Sequence, residues 1–255
     1  MSAGRRIVAA VIVLAGLALA PAASAMTLHD GHGLTVTSVK QIDTRLVALD
    51  VKTGALPDPV DMRILLPTGY AAHPHRRYPV LYLLDGTSGL ASDWTTMGAA
   101  EQTTAGQPLI VVMPNIDLGG NGGGWCTNWP NGAESWETFH INQLIPWVDS
   151  NLRTIATRAG RAIAGLSQGG FCSMSYAALH PDLFGVALGY SPAPDIYYDP
   201  QARAGAMAII NATEVGLDGV PPDTFFGNPT TDGINWAAHD PTTLAENLRW
   251  TRMYL

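Results

Sequence analysis

Gly165-Leu166-Ser167-Gln168-Gly169 sets a serine between two glycines, each two positions away. Between a strand and a helix, this Gly-x-Ser-x-Gly pattern forms a nucleophile elbow, a sharp turn that exposes the serine hydroxyl. The chemistry it serves is acyl transfer: the hydroxyl attacks a carbonyl and an acyl-enzyme forms. The setting fits. Residues 161–164 are a short strand candidate, and 169–180 read as a helix that stops at Pro181. The head of that helix favours developing negative charge. A glycine-rich turn with an incidental serine is the alternative, and the flanking strand and helix weigh against it.

Such a serine needs backbone donors for the oxyanion, each worth about 3 kcal/mol of barrier height. One should be the N–H of Gln168, the residue after the nucleophile. The other should come from the loop after an earlier central strand. Residues 78–84 (Tyr-Pro-Val-Leu-Tyr-Leu-Leu) are almost continuously apolar, as a strand buried on both faces must be. The loop after it is Asp85-Gly86-Thr87-Ser88-Gly89. An ordinary Asp-Gly turn is the plainer reading of that loop.

The general base is harder to find. On this kind of elbow the order is serine, acid, histidine. After Ser167 the only histidines are His180 and His239. His180 closes the helix that Ser167 opens, and a helix of about 12 residues is about 18 Å long. His239 precedes Asp240-Pro241 and reads as a helix-start residue. His29, His32, His73 and His75 are scattered through earlier loops and read as solvated side chains, since metal ligands must converge. His140 lies on a helix and reads as structural. Trp125 and Trp129 flank the glycine-rich stretch 119–124 and are candidates to line an acyl or sugar site, with packing the equal alternative.

The elements that must position these groups follow from periodicity. Residues 34–42, 46–51 and 62–66 are β-rich runs separated by Gly and Pro. Residues 109–113 are a continuous apolar run ended by Pro114, and 162–164 and 186–188 are shorter ones. Residues 136–152 carry apolar side chains at helical spacing. Ser135 is placed to cap that helix, Glu137 lies in its first turn, and Pro146 predicts a kink or break inside it. Strands alternating with helices imply an α/β fold, a mainly parallel sheet with helices on both faces.

The first 25 residues read as a secretory signal peptide: Arg5 and Arg6, an uncharged apolar run over 7–20, Pro21, and the small-residue site Ala23-Ser24-Ala25. The run is shorter than the about 20 residues a membrane span takes. Residues 26–255 then make one domain. With 21 acidic against 14 Lys and Arg and no basic run, nucleic acid is excluded as a partner. The two cysteines, Cys126 and Cys172, carry no metal signature. A domain this large needs no bridge and buried free thiols are common, so unpaired cysteines are favoured. Export permits a bridge as the alternative.

Several stretches carry a resemblance: Leu81-Tyr82-Leu83-Leu84-Asp85-Gly86, Val111-Val112-Met113-Pro114, Trp136-Glu137-Thr138-Phe139, Gly165-Leu166-Ser167, and Ala178-Leu179-His180-Pro181-Asp182-Leu183-Phe184. In order and spacing they resemble the esterase family of α/β-hydrolases that includes secreted mycolyltransferases and formylglutathione-hydrolase-type esterases. The resemblance implies an α/β-hydrolase fold, Ser167 as the acylated nucleophile, and the amides of Thr87 and Gln168 as the oxyanion hole. It implies that Asp85 lies at the acceptor pocket, where the mycolyltransferases bind a sugar hydroxyl. It also implies no cofactor, a secreted or cell-envelope location, and a small-molecule or lipid ester as substrate, with contact to cell-envelope lipids. Ser88 stands where the mycolyltransferases carry an arginine, and the loop over 118–125 is richer in glycine than theirs. Hydrolysis is therefore expected ahead of transfer to a sugar acceptor, and a non-catalytic esterase-like binding protein is the rival of another class. In the family the triad acid follows the strand that begins near residues 251–255, and the histidine lies further on. The expectation is a C-terminally shortened chain.

Overall fold

The computed structural model describes residues 26–118, 123–216 and 219–255. The expected signal peptide lies outside the described residues. Eight strands form one sheet: β1 (Leu34–Gln41), β2 (Leu46–Thr53), β3 (Val60–Leu65), β4 (Val80–Leu84), β5 (Ile110–Pro114), β6 (Arg161–Leu166), β7 (Val186–Tyr190) and β8 (Arg252–Tyr254). Their order is β1-β2-β3-β5-β4-β6-β7-β8. The first three form an antiparallel meander, and β3 joins β5 antiparallel. From β5 to β8 every pairing is parallel.

The continuous apolar runs are explained by burial on both faces. Val80, Tyr82, Leu84, Ile110 and Val112 enter the larger core, and their alternates Leu83, Val111 and Met113 enter a smaller one with Ala100. The chain leaves β4 towards β5 and returns to β6 on the other side of β4. In open α/β sheets the crevice outside the carboxyl ends of strands at such a reversal is where ligands bind. Here those ends are Leu84 of β4 and Leu166 of β6, which are one register step from paired.

Six short helices can be labelled: α1 (Asp93–Thr96), α2 (Ala100–Thr103), α3 (Ile145–Asn151), α4 (Gln168–Leu179), α5 (Pro200–Ile210) and α6 (Gly233–His239). The helix expected over 136–152 changes character inside. A π-helical stretch, Thr138–Leu144, gives way to α3, with Pro146 at its second residue. Proline has no N–H to give and its ring crowds the preceding turn. A locally widened turn accommodates both. Ser135 stands at the N-cap position, its carbonyl accepting from Phe139 at 3.0 Å, while the side-chain bond at this end comes from Asn128, which accepts from the Thr138 N–H at 3.0 Å. Asn128 is seven residues before Ser135, so only the folded loop reveals it.

Cys126 and Cys172 are joined in a disulfide with Cα atoms 5.6 Å apart, against the expectation of free thiols. A separation of 46 residues says nothing of Cβ directions, which decide whether a bridge can form. The expected final strand is present as β8, exposed along the sheet edge beside β7. No described helix is long and apolar enough to cross a membrane.

Candidate active site

Ser167 links β6 to α4 with φ 54° and ψ −115°, outside the regions ordinary residues favour. Strain of this kind costs about 1–3 kcal/mol and persists where the surroundings over-determine it. Here they do. The Ser167 N–H donates to the Tyr190 carbonyl at 2.8 Å, and its carbonyl accepts from Phe171 at 2.9 Å, the first helical bond of α4. Gly165 and Gly169 allow the close passage. A Cβ on Gly165 would stand 2.1 Å from the Gly169 carbonyl oxygen, and one on Gly169 would stand 2.0 Å from that of Asp85. The side chain of Ser167 is exposed at the sheet's carboxyl edge.

The loop after β4 runs beside it. A Cβ on Gly86 would lie 3.6 Å from that of Ser167. Gly89 closes the loop with an N–H to the Gly86 carbonyl at 2.9 Å. The two residues expected to supply oxyanion donors are tied together: Gln168 Nε2 donates to Thr87 Oγ1 at 3.2 Å. The Gln168 amide opens α4.

Asp85, expected at the acceptor pocket, is buried. It is 3 % exposed. Burial first, and then the negative charge of Asp117, push its carboxyl well above the usual carboxylate range. A following Gly suggests an open turn. Instead, the segment after β5 covers the loop, with the Asn115 side chain accepting from the Ala91 N–H.

Trp125, the other residue expected to bind substrate, is also buried. It is 2 % exposed, and its ring packs on Phe171, Phe225 and Phe226 with centroids 5.5, 6.4 and 6.1 Å away. Trp129 packs edge-on to Phe225 at 5.4 Å. Phe225 and Phe226, distant in sequence, complete this cluster. The apolar groups that do face solvent near Ser167 are Leu166 and Tyr190, register partners on β6 and β7. Trp94 packs on Tyr190 at 6.3 Å.

All seven histidines of the sequence fall on described residues, and none hydrogen-bonds to Ser167. His180 pairs with Glu137 at 2.8 Å, and that bond holds the Glu137 carboxyl below its usual range. His239 is held by the Asn235 carbonyl at 2.8 Å and Thr127 Oγ1 at 3.2 Å, with its ring against Phe226. Its carbonyl accepts from Ser175, two turns along α4 from the nucleophile. His29, His32, His73 and His75 are exposed. Among the described residues no cluster of three or more His, Cys, Asp or Glu could hold a metal ion.

His140 is buried between the Tyr176 hydroxyl, 3.0 Å from Nδ1, and the Asn115 carbonyl, 3.1 Å from Nε2. Burial lowers its pKa to about 4 from 6.5. The unfolded chain therefore takes up this proton first as pH falls, and stability drops between pH 6.5 and about 4. The residue's share of that loss is about 3 kcal/mol. Urea midpoints measured across that window should fall steeply in the native protein and less steeply in His140→Gln. Parallel slopes would refute the assignment.

The family description "Putative esterase" matches residues 53–254. Esterase Rv1288 of Mycobacterium tuberculosis is 34% identical over 231 residues, covering 89% of this chain and 48% of that protein. The MPT51/MPB51 antigen of Mycobacterium bovis is 34% identical over 184 residues, 69% of this chain and 56% of the antigen. The chain spans about half the length of the curated relatives it matches. The crystal structure of Mycobacterium tuberculosis MPT51 superposes with TM-score 0.63 at 28% identity, over 80% of this chain and 70% of that one. An S-formylglutathione hydrolase from Agrobacterium tumefaciens shares the fold, with TM-score 0.66 at 15% identity, over 86% of this chain and 77% of that one. With this sheet, this elbow and a match across most of its length, the chain belongs to the esterase family and has the α/β-hydrolase fold.

Proposed function

We propose that this chain is an exported serine ester hydrolase in which Ser167 attacks the ester carbonyl. The backbone amides of Thr87 and Gln168 receive the oxyanion, the alcohol leaves, and water attacks the acyl-enzyme. The observation that carries this reading is the backbone of Ser167, strained at φ 54° between β6 and α4 at the sheet's carboxyl edge. An incidental serine in a glycine-rich turn has no need of that conformation. The tie from Gln168 to Thr87 adds support, because it fixes the two donor residues relative to each other.

Water is the preferred acceptor. The carboxyl that would grip a sugar hydroxyl, Asp85, is closed to solvent. Leu166 and Tyr190, the latter 50 % exposed, offer the acyl group an apolar bed. A relative from Xylanibacter ruminicola named endo-1,4-beta-xylanase/feruloyl esterase, 33% identical over 155 residues that cover 54% of this chain and 21% of that protein, supports an ester with an aromatic acyl part such as feruloyl.

The test is covalent. An alkyl fluorophosphonate incubated with the 255-residue chain should add one phosphonyl group to Ser167, found by intact mass and peptide mapping. Ser167→Ala should take up none, because the elbow has no second nucleophile. Labelling that persists in the Ala variant, or that is absent from the native protein even with imidazole supplied as the base, would leave a binding protein with an esterase fold as the better reading.

A further inference from the structure

We propose that the Cys126–Cys172 bridge positions the oxyanion site, by clamping residues 123–126 onto the Gln168 side chain. The proposal rests on the reading of Ser167 as nucleophile and adds residues whose function that reading leaves open.

The clamp begins in a strained segment. Trp125 and Cys126 are consecutive non-glycine residues with φ of 50° and 55°. Each costs about 1–3 kcal/mol, so the segment holds only if fixed from outside. Ring packing and a covalent bond both fix it. The Trp125 ring is buried against Phe171, Phe225 and Phe226. Cys126 is bonded to Cys172, five residues past Ser167 on the helix that the Gln168 amide opens. The loop is thus fastened to the same rigid element that carries one of the two donors.

The other end of the segment reaches the site. Gly123, three residues before Cys126, lies against Gln168 so closely that a Cβ there would stand 2.0 Å from Oε1. Gly124 anchors behind it, its N–H donating to the Ile116 carbonyl at 2.9 Å and its carbonyl accepting from Trp129 Nε1 at 3.2 Å. With Gly123 at its back, the Gln168 side chain donates to Thr87 Oγ1 at 3.2 Å. The path runs from the bridge through the loop and Gln168 to Thr87. Cutting the bridge releases the strained segment, removes the backing from Gln168, and frees the loop after β4 to drift from the nucleophile. A full oxyanion donor is worth 10²–10³ in rate, and a misplacement of about 1 Å can cost about 10².

Phosphonylation of Ser167 by an alkyl fluorophosphonate separates positioning from binding, because kinact reports attack and KI reports encounter. It should be measured on the native chain, on Cys126→Ser/Cys172→Ser, and on Gly123→Ala, which keeps the bridge but crowds Gln168. The native chain should also be measured in dithiothreitol, which reduces the bridge to two thiols as it closes to its own cyclic disulfide, and again after reoxidation. We expect kinact to fall at least about tenfold on reduction and in both variants, with KI changed less than about twofold and kinact regained on reoxidation. Reduced protein that still unfolds cooperatively and keeps its kinact would overturn the proposal, as would a loss confined to KI. If the cysteine variant fails to fold, Gly123→Ala and the reduction series decide in the same terms. Native protein that never labels at Ser167, even with imidazole supplied as the base, would sink the nucleophile reading and this proposal with it, whereas labelling indifferent to the bridge sinks this proposal alone.

Discussion

Imidazole added to the 255-residue chain should raise its rate of aryl-ester cleavage in proportion to concentration, and Ser167→Ala should erase the increment. The serine hydroxyl is a weak nucleophile unless a base takes its proton. No histidine of the chain hydrogen-bonds to Ser167: His180 is committed to Glu137, and His239 to Asn235 and Thr127. What remains without a base is the contribution of the oxyanion site and binding, about 10³–10⁴ over water. A positioned base contributes a further 10²–10⁴. An imidazole diffusing into an exposed site should recover part of that, about 10–100-fold at high concentration. Only the unprotonated ring accepts the proton, so the increment should grow with pH through the range in which free imidazole loses its proton. Two results would defeat the argument. An equal increment in Ser167→Ala would show imidazole attacking the ester by itself. A fast native rate that ignores imidazole would show a base already in place, and His239 would be the first residue to replace.

How much of this was legible beforehand depended on whether a feature was local. The strands β4 and β5 could be read because burial on both faces writes a continuous apolar run into the chain. The elbow could be read because strand, turn and helix follow one another within 20 residues. Pro146 marked the change from π-helix to α3 because its missing N–H acts at its own position. Features made by contact between distant segments were not legible. The Cys126–Cys172 bridge needs the loop after β5 to fold onto α4, and Trp125 is buried between Phe171 of α4 and Phe225 and Phe226, which arrive from beyond α5. Asp85 looked like a turn residue open to a ligand, and it is closed because the segment carrying Asn115 and Asp117 lies across it. The side-chain bond that Asn128 adds to this helix start belongs to the same class. In each case the residue type was visible and its neighbour was not.

The glycines at the elbow provide the other large effect, and Gly169→Ala is the decisive substitution. A Cβ there would meet the Asp85 carbonyl oxygen at 2.0 Å and that of Leu84 at 2.7 Å. Both are backbone atoms at the end of β4, and Leu84 is paired to Gly165 in the parallel register of β4 with β6. No flexible side chain can yield, so α4 must lift from the sheet or β4 must leave its partners. Overpacking absorbed by side chains costs about 1–3 kcal/mol, and a clash borne by backbone should exceed the upper end of that range. Against a total stability of about 5–15 kcal/mol, Gly169→Ala should lower the urea midpoint sharply or leave the chain insoluble. The folded fraction should also lose reactivity at Ser167, because the displaced segment is the start of the oxyanion loop. Gly205→Ala is the internal comparison. It lies within α5, where a new Cβ meets nothing within 4 Å. Alanine there relieves the cost of glycine in a helix and should stabilise by about 0.5–1 kcal/mol with unchanged labelling. Equal behaviour of the two variants in urea unfolding would mean that the close passage of α4 over β4 does not exist, and the elbow with it.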